Sequence, residues 1–440
     1  MKKGKLIFTF YLIVMLLSAC NPTPPVEKVK VTFIGLDGGE ISKVEVDKGT
    51  IVTPPDLEST EEYTFYGWSL NKDGKDLFDF STPIASDTTL YSVWLKNYLI
   101  YQDNIDGTLT VIGLSDPYIS VCSIPETCNG KTITTIADAV FPPYTREITI
   151  PKTVTSISDA AFVYCYYLGS IEVSKENTYF KIIDGALYTM DESKLIYFPV
   201  NNFKMVGDTP QAIVEYTIPN SVTEIGGYAF SNNKNLTSIT IPDSVTTIGE
   251  GAFYSCGSLT SITIPQSVKS IGEGAFNGCS SLNSINVEPD NRFYKSKDGV
   301  LFNIEGTKLI QYPKSKEGNE YIIPDGVKTI GQFSFYGSRN LTKISIPNSV
   351  TAIDYKAFGF CLELPEIEIP NSVKSIGGYA FHYCEKLKSI VIPSSVTSIG
   401  ERAFFQCDKL LEIKINKPEG TLDGAPWNAE NATVTWQNET

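Results

Sequence analysis

A pattern of apolar and polar positions with a period of 23 residues recurs along most of the chain. The shared pattern is I-x-I-P-x-S-V-x-x-I-G-x-x-A-F-x-x-C-x-x-L-x-x, where x is variable. A fixed period of this length is typical of a solenoid, in which each repeat forms one coil that buries its apolar side against its neighbours. We therefore predict a solenoid of 23-residue coils over residues 97–415. Eight regular copies begin at Ile148, Tyr216, Ile239, Ile262, Tyr321, Ile344, Ile367 and Ile390.

The first half of each coil is predicted to form two short inward-facing strands. In one copy Leu236, Ile239 and Ile241 alternate with polar residues, which indicates a strand with one buried face. The proline that follows ends this strand because it has no N–H for a continuing ladder. Val245 and Ile248 then predict the second apolar stretch.

The second half of each coil carries a glycine and an Ala-Phe pair. Glycine is present in six of the eight copies, and Ser158 and Asp354 replace it in the other two, so we expect a positive φ to be favoured there but not required. The small alanine beside the large phenylalanine lets neighbouring coils interlock. The phenylalanines are Phe162, Phe230, Phe253, Phe276, Phe335, Phe358, Phe381 and Phe404.

Two similar insertions interrupt the period. They are DGALYTMDESKLIYFP, residues 184–199, and DGVLFNIEGTKLIQYP, residues 298–313. Each has two apolar stretches around a polar turn, which predicts a hairpin. We expect their apolar residues Leu187, Tyr188, Leu301 and Phe302 to cover the sides of the solenoid. Residues 416–440 abandon the pattern and are predicted to cap the last coil.

Residues 30–96 form a separate segment with short alternating stretches and Gly or Pro breaks. Its F-x-G-W and L-Y-x-x-W sequences end at Trp68 and Trp94. The segment resembles the internalin B-repeat (Listeria–Bacteroides repeat), which implies a small all-strand or β-grasp-like module. We expect the two tryptophans to pack its core rather than to bind sugar.

The 23-residue repeat resembles the leucine-rich repeats of the Bacteroides surface protein A and Treponema type. The predicted fold class is therefore mainly β, a leucine-rich-repeat solenoid preceded by a small β-rich module. The resemblance implies an extracellular or surface-attached bacterial protein, and several members of this family are adhesins.

The N-terminus has the features of an export signal. Lys2, Lys3 and Lys5 precede an apolar run that is too short to span a membrane. The run ends at Leu17-Ser18-Ala19-Cys20, which resembles the lipobox of bacterial lipoproteins. This predicts a signal peptide over residues 1–19, lipid attachment at Cys20, a linker over residues 20–29 and a lipid-anchored protein at the cell surface. An ordinary signal peptide with a chance cysteine is the alternative.

The composition narrows the choice of partners. The formal net charge of −14 argues against nucleic acid and against electrostatic binding to anionic membranes. The expected partners are an extracellular protein or glycan and, through the lipid anchor alone, the membrane.

Candidate catalytic and metal-binding residues are sparse. His382 is the only histidine, and we expect it to be exposed and inert because its repeat position is variable. Neither a catalytic residue, a metal site nor a cofactor is predicted. Cys122 and Cys128 flank a loop, and the sequence leaves open whether they form a disulfide. Buried thiols are expected at one repeat position, occupied by Cys165, Cys256, Cys279, Cys361, Cys384 and Cys407.

The outward positions of the first strand in each coil are the candidate binding surface. They carry hydroxyl and amide groups in the middle of the array and charges toward its end. The alternative is that Thr and Ser merely suit an exposed strand. We predict a non-enzymatic binding or adhesion protein, with a structural spacer of a surface complex as the alternative. The candidate ligand-binding residues are Thr240, Thr263, Asn286, Ser345, Glu368 and Lys414.

Overall fold

The computed structural model describes residues 26–437 except residues 61, 73, 75, 97, 207 and 208. Contacts divide the chain into two compact units. One contains Tyr63–Lys96 and the described residues up to Glu58, and the other contains Ser59–Glu62 and the residues from 98 onward. Every regular element in the described residues is a strand, and none of these residues belongs to a helix able to cross a membrane.

The first unit contains the strands β1 (Lys28–Ile34), β2 (Glu40–Asp47), β3 (Tyr63–Ser69) and β4 (Thr88–Lys96). They form a four-stranded sheet in the order β2-β1-β4-β3, with a parallel central pair and antiparallel outer pairs. Trp68 is buried in its core, where its ring meets that of Phe33 edge-on at 4.8 Å. Trp94 is partly buried and packs 5.3 Å from Phe65. The packing role predicted for both tryptophans is confirmed.

The second unit contains many short strands, in agreement with the predicted coils. Its first strands are β5 (Leu99–Asp103), β6 (Leu109–Leu114), β7 (Val121–Ser123), β8 (Thr127–Cys128), β9 (Lys131–Ile136), β10 (Glu147–Ile150), β11 (Ser156–Ile157), β12 (Ser170–Val173), β13 (Phe180–Ile183), β14 (Ala186–Thr189), β15 (Lys194–Tyr197), β16 (Phe203–Val206) and β17 (Thr209–Ala212). The next are β18 (Glu215–Thr217), β19 (Glu224–Ile225), β20 (Ser238–Thr240), β21 (Thr247–Ile248), β22 (Ser261–Ile264), β23 (Ser270–Ile271), β24 (Ser284–Val287), β25 (Tyr294–Lys297), β26 (Val300–Asn303) and β27 (Lys308–Gln311). The last are β28 (Glu320–Ile322), β29 (Thr329–Ile330), β30 (Lys343–Ser345), β31 (Ala352–Ile353), β32 (Ser375–Ile376), β33 (Ser389–Ile392), β34 (Ser398–Ile399), β35 (Glu412–Ile415) and β36 (Thr433–Trp436).

Each regular coil contributes one strand to each of two sets of parallel strands, except that the coil beginning at Ile367 has no first strand. The longer strands pair as β7-β10-β12, β18-β20, β22-β24, β28-β30 and β33-β35-β36, and we call this set the first-strand face. The two-residue strands pair in longer runs such as β19-β21-β23 and β29-β31-β32-β34, which we call the second-strand face. Residues one repeat apart are in register, as for Ile262 with Ile285 and Ile248 with Ile271. Most Leu, Ile and Val at the predicted inward positions are buried, and others such as Ile271 and Ile399 are partly buried and pack against the core, which confirms the pattern.

The phenylalanines of successive coils stack into a ladder in the core. Phe253 lies 5.3 Å from Phe230 and 5.6 Å from Phe276 between ring centroids, with the rings almost parallel. The same stacking links Phe335, Phe358, Phe381 and Phe404 at 5.2–5.6 Å. Because strands of adjacent coils lie about 4.8 Å apart, one ring per coil fills the core along this column.

Both insertions form the predicted hairpins, but their place in the fold differs from the expectation. The hairpins β14-β15 and β26-β27 join the second-strand face, because β15 pairs with β19 and β27 pairs with β29 in parallel. An additional strand, β13 or β25, pairs with the outer side of each hairpin. Leu187, Tyr188, Leu301 and Phe302 lie in the core and do not cover the sides of the solenoid. That prediction was wrong, because the hairpins replace part of a coil instead of projecting from it.

Aromatic residues after each hairpin continue the ring ladder. Tyr197 stacks on Phe162 at 4.7 Å, and its neighbour Phe198 packs 5.4 Å from Phe230. After the second hairpin, Tyr312 stacks on Phe335 at 5.2 Å. The insertions therefore preserve the coil-to-coil contact that the regular repeat makes with phenylalanine.

In the six copies that have it, the repeat glycine is favoured by close backbone approach and not by its φ angle. None of the six has a positive φ. A β-carbon on Gly272 would lie 2.3 Å from the Glu250 backbone nitrogen of the preceding coil, and one on Gly400 would lie 2.3 Å from the Gly378 nitrogen. The expectation of a favoured positive φ was wrong, since that conformation occurs two positions later. It is adopted there by Tyr228, Gly251, Gly274, Phe333, Lys356, Tyr379 and Arg402.

The C-terminal segment that was predicted to be a cap adds one more turn to the ladder. Strand β36 pairs in parallel with β35, so that Trp436 aligns with Ile415. Trp427 is buried and meets the Phe404 ring edge-on at 6.1 Å. A tryptophan therefore ends the aromatic column at the last coil.

We expect Phe253→Ala to lower the free energy of unfolding by about 3–5 kcal/mol, because it removes a buried ring between two others. Hydrogen exchange should show the loss of protection mainly in the flanking coils, since stacking couples nearest neighbours. The exposed Phe293 supplies the control, and Phe293→Ala should leave protection unchanged. Uniform loss of protection from residue 98 to the C-terminus would contradict local coupling.

We expect Gly272→Ala to destabilise the protein by about 3 kcal/mol, because the added methyl would collide with backbone that cannot rotate away. Gly257→Ala is a matched control in the same region, since its β-carbon would meet nothing closer than Ser280 Oγ at 3.5 Å. That change should stay within about 0.5 kcal/mol in urea unfolding. Equal effects of the two substitutions would refute the close-approach explanation.

Candidate functional site

The repeat cysteines have a structural role. Cys256 Sγ donates a hydrogen bond to Phe230 O at 3.0 Å, and Cys279 Sγ donates to Phe253 O at 3.0 Å. Asn233, which replaces cysteine in one coil, bonds Phe198 O in the same way through Nδ2 at 3.4 Å. The predicted buried thiols are confirmed at this repeat position.

Burial also makes these thiols poor nucleophiles. It raises the pKa of Cys361 and of Cys122 to about 12, so that neither forms a thiolate near neutral pH. Cys122 is a free thiol, so it forms no disulfide with Cys128, a question that the sequence left open.

His382 is buried, so the expectation of an exposed side chain was wrong. Its Nδ1 lies 2.6 Å from Tyr379 O, and its ring packs 5.1 Å from Phe360 and 5.7 Å from Tyr336. Burial lowers the pKa of His382, which favours the neutral ring. Within the described residues no group of three His, Cys, Asp or Glu side chains is arranged to hold a metal ion.

The predicted ligand-binding residues fall into two groups on the first-strand face. Thr240 lies on β20, while Thr263 on β22 and Asn286 on β24 are register partners, and all three are exposed. Ser345 lies on β30 and is partly buried, whereas Lys414 on β35 is exposed and is aligned with Val391. The second insertion separates the two groups along the chain.

A groove of about 820 Å³ opens on the first-strand face between β30 and β33. Ser345 and Glu368 both line it, so the structure brings these two predicted residues together. Lys343 and Glu366 add charges, and none of the three charged groups is in an ion pair within the part of the chain that the structure describes. Hydroxyl and amide groups complete the polar lining, from Ser389, Asn348, Asn371 and Asn416.

Pro365 explains why the groove lies at this coil. In neighbouring coils the equivalent residue donates its N–H to the preceding coil, as Thr342 N does to Asn319 O at 2.7 Å and Leu411 N does to Lys388 O at 3.0 Å. Proline has no N–H, so Thr342 O receives no such bond from Pro365. Residues 365–370 accordingly form no strand, and the first-strand face is interrupted.

The sequence predictions missed the asparagines of the groove. Asn348 and Asn371 follow the proline that ends each first strand, and Asn416 follows β35. The signal that could have found the groove is Pro365, which occupies a position held by Thr237, Thr260, Asn283 and Thr342 in other coils. Such a site offers donors, acceptors and both signs of charge, which suits reversible binding of a polar ligand.

The chain matches two families. Residues 115–209, 209–317 and 311–424 match the BspA type leucine rich repeat region, and residues 30–93 match the Listeria-Bacteroides repeat domain. Both predicted resemblances are confirmed.

Solved structures with a similar fold include a leucine rich cell surface protein from Faecalibacterium prausnitzii A2-165. It is 26% identical with a TM-score of 0.51, over 78% of this chain and 94% of that one. The pneumococcal vaccine antigen PcpA is 24% identical with a TM-score of 0.50, over 78% of this chain and 87% of that one, and supports the fold alone.

The curated relatives match over shorter stretches. Internalin H of Listeria monocytogenes is 30% identical over 119 residues, which are 27% of this chain and 22% of internalin H. A protein of Evansella cellulosilytica is 30% identical over 83 residues, which are 18% of this chain and 12% of that protein. The alignments therefore span less than a quarter of the length of either relative. Because its repeat matches extend from residue 115 to residue 424, this chain belongs to the BspA-type leucine-rich repeat family and carries a Listeria-Bacteroides repeat domain before the repeats.

Proposed function

We propose that this protein is a non-enzymatic binding protein of the bacterial cell surface that holds an extracellular protein or glycan on its first-strand face. The observation that carries this proposal is the groove at Pro365, where Lys343, Glu366 and Glu368 remain without ion-pair partners in the described chain. Charges that the fold does not use are available for a ligand.

The strand ladder supports binding because it holds side chains at fixed spacing before a ligand arrives. Thr263 and Asn286 are directly aligned across β22 and β24, and similar pairs recur at coil spacing. Groups that are already ordered lose little conformational entropy on binding, so more of the contact energy contributes to affinity. This argument applies to Thr240, Thr263 and Asn286 as well as to the groove.

The cell-surface assignment is supported by the lipobox sequence and by the similar Faecalibacterium protein, which is described as a cell surface protein. Cys20 lies outside the described residues, so its acylation is a proposal from sequence alone. Two or more acyl chains at one cysteine would hold the protein durably at a bilayer. The binding face would then be presented from the membrane through the linker of residues 20–29.

A glycan and protein array probed with the mature chain tests the binding function. We expect saturable binding to at least one ligand. For that ligand, Glu366→Lys with Glu368→Lys should weaken binding at least tenfold, about 1.4 kcal/mol, because it reverses both groove carboxylates. The melting temperature should stay nearly unchanged, since both side chains are exposed.

The matched control reverses two exposed acids on turns, Glu385→Lys with Asp408→Lys, and should leave affinity unchanged. A second arm combines Thr240→Lys, Thr263→Lys and Asn286→Lys and tests the other half of the face. If no array ligand binds saturably, the protein is a structural spacer. Affinity that survives both first-strand variants would place recognition elsewhere.

We expect Cys20→Ala to abolish acylation and membrane retention, because the thiol is the predicted acceptor. Asn21→Ala keeps the cysteine and should retain both. Labelled fatty-acid incorporation and membrane fractionation measure the two properties. A Cys20→Ala protein that still carries label and sediments with membranes would disprove the lipid anchor.

A further inference from the structure

The two insertions are copies of one unit, and they differ at one informative position. Pro199-Val200 in the first copy corresponds to Pro313-Lys314 in the second. Val200 is buried, and Lys314 is partly buried at the equivalent place. Because the fold accepts valine there, the ammonium group of Lys314 is not needed for folding.

The coil that precedes each insertion also differs between the copies. Tyr164 and Tyr166, both half-exposed, correspond to Gly278 and Ser280 before the second insertion. In the second copy a cavity of about 450 Å³ lies at this place, and both small residues line it together with Lys314. The first copy therefore has large side chains at two positions where the second copy has small ones.

The cavity is cationic and also carries hydrogen-bonding and aromatic groups. Besides Lys314, its lining includes Arg339, and none of the described residues that line it has a carboxylate. Lys314 Nζ lies 5.4 Å from the centroid of the Tyr336 ring. A β-carbon on Gly337 would lie 2.9 Å from Lys314 Nζ, so glycine at that position leaves room for the ammonium group. The remaining lining residues are Ser315, Asn340 and Phe360.

The charge of this cavity is unusual for the protein. The chain has a net charge of −14, yet in its described part neither Lys314 nor Arg339 forms an ion pair. The pKa of Lys314 is lowered to about 8, mainly by burial and in part by the charge of Arg339. An anion would relieve the repulsion between the two cations and supply the missing counter-charge.

We propose that this cavity, bounded by Lys314, Tyr336 and Arg339, binds an acidic saccharide through its carboxylate or sulfate group. The two cations pair with the anion, and the aromatic rings of Tyr336 and Phe360 offer apolar faces to the C–H groups of a pyranose ring. Ser280, Ser315 and Asn340 supply hydrogen bonds for sugar hydroxyls. The site is separate from the first-strand face and does not depend on the groove at Pro365.

The cavity does not suit a peptide that binds by strand addition. Peptides commonly bind by adding a strand to an exposed sheet edge, where main-chain hydrogen bonds provide affinity. All residues that line the cavity lie in turns, so it offers no strand edge to a peptide. Its charged, hydroxyl and aromatic side chains match the groups of one acidic sugar ring.

The test is calorimetric titration of the mature chain with three acidic saccharides and their neutral counterparts. The first pair is oligogalacturonate and its methyl ester, and the second is sialyllactose and lactose. The third is a heparin oligosaccharide and the same oligosaccharide after desulfation and reduction of its carboxyl groups. We expect at least one acidic member to bind at least tenfold more tightly than its neutral counterpart. For that ligand Lys314→Val should lower the affinity at least tenfold. The melting temperature should not fall, because valine occupies the same place in the first copy.

Lys234→Ala is the matched control, because Lys234 is the exposed counterpart of Arg339 in the first copy and should not affect binding. Binding of all acidic and neutral pairs with equal affinity, or no binding of any, would overturn the proposal. So would poly-glutamate that binds as tightly and with the same dependence on Lys314. Loss of saccharide binding in Glu366→Lys with Glu368→Lys, but not in Lys314→Val, would assign the ligand to the groove and also overturn it.

Discussion

The contact between one coil and the next is the constraint on which the rest of the solenoid depends. Paired strands set the spacing of coils at about 4.8 Å, and every core group must fit that interval. The stacked rings of Phe335 and Phe358, 5.2 Å apart, meet it by lying almost parallel. The Cys361 thiol meets it by donating to Phe335 O one coil earlier. Gly377 meets it by having no side chain, since a β-carbon would lie 2.5 Å from Tyr355 N.

The same constraint explains how the solenoid tolerates insertions. A hairpin can interrupt the 23-residue period only if it still presents a strand and a ring to the next coil. Strand β27 pairs with β29 and Tyr312 stacks on Phe335, so the second insertion satisfies both conditions. Trp427 provides a ring to Phe404 at the end of the array. The hairpins are therefore substitute coils, and their apolar side chains are buried for the reason that those of a regular coil are.

The sequence predicted the solenoid, its two strands per coil and its buried columns because alternation and period report directly on which side chains face inward. The candidate residues Ser345 and Glu368 were also found from alternation, and the structure places both in one groove. Other features depend on which segments of neighbouring coils contact each other, and the pattern of apolar and polar residues does not contain that information. The role of Gly272, the burial of His382 and the inclusion of the hairpins in the second-strand face all arise from such neighbours.

Local departures from the repeat are the most informative positions for function. A residue in a stacked column cannot change without a cost in stability, so the columns vary little and carry no recognition. Pro365 and Lys314 are not residues of this kind, because the fold accepts a different residue at each of their positions. The counterpart of Pro365 one coil earlier is Thr342, and the counterpart of Lys314 in the first insertion is Val200. Each departure coincides with a cavity lined by charges that have no ion-pair partner in the described chain. Since uncompensated charge and open volume do not stabilise a coil, these two cavities are the places where we propose that ligands bind.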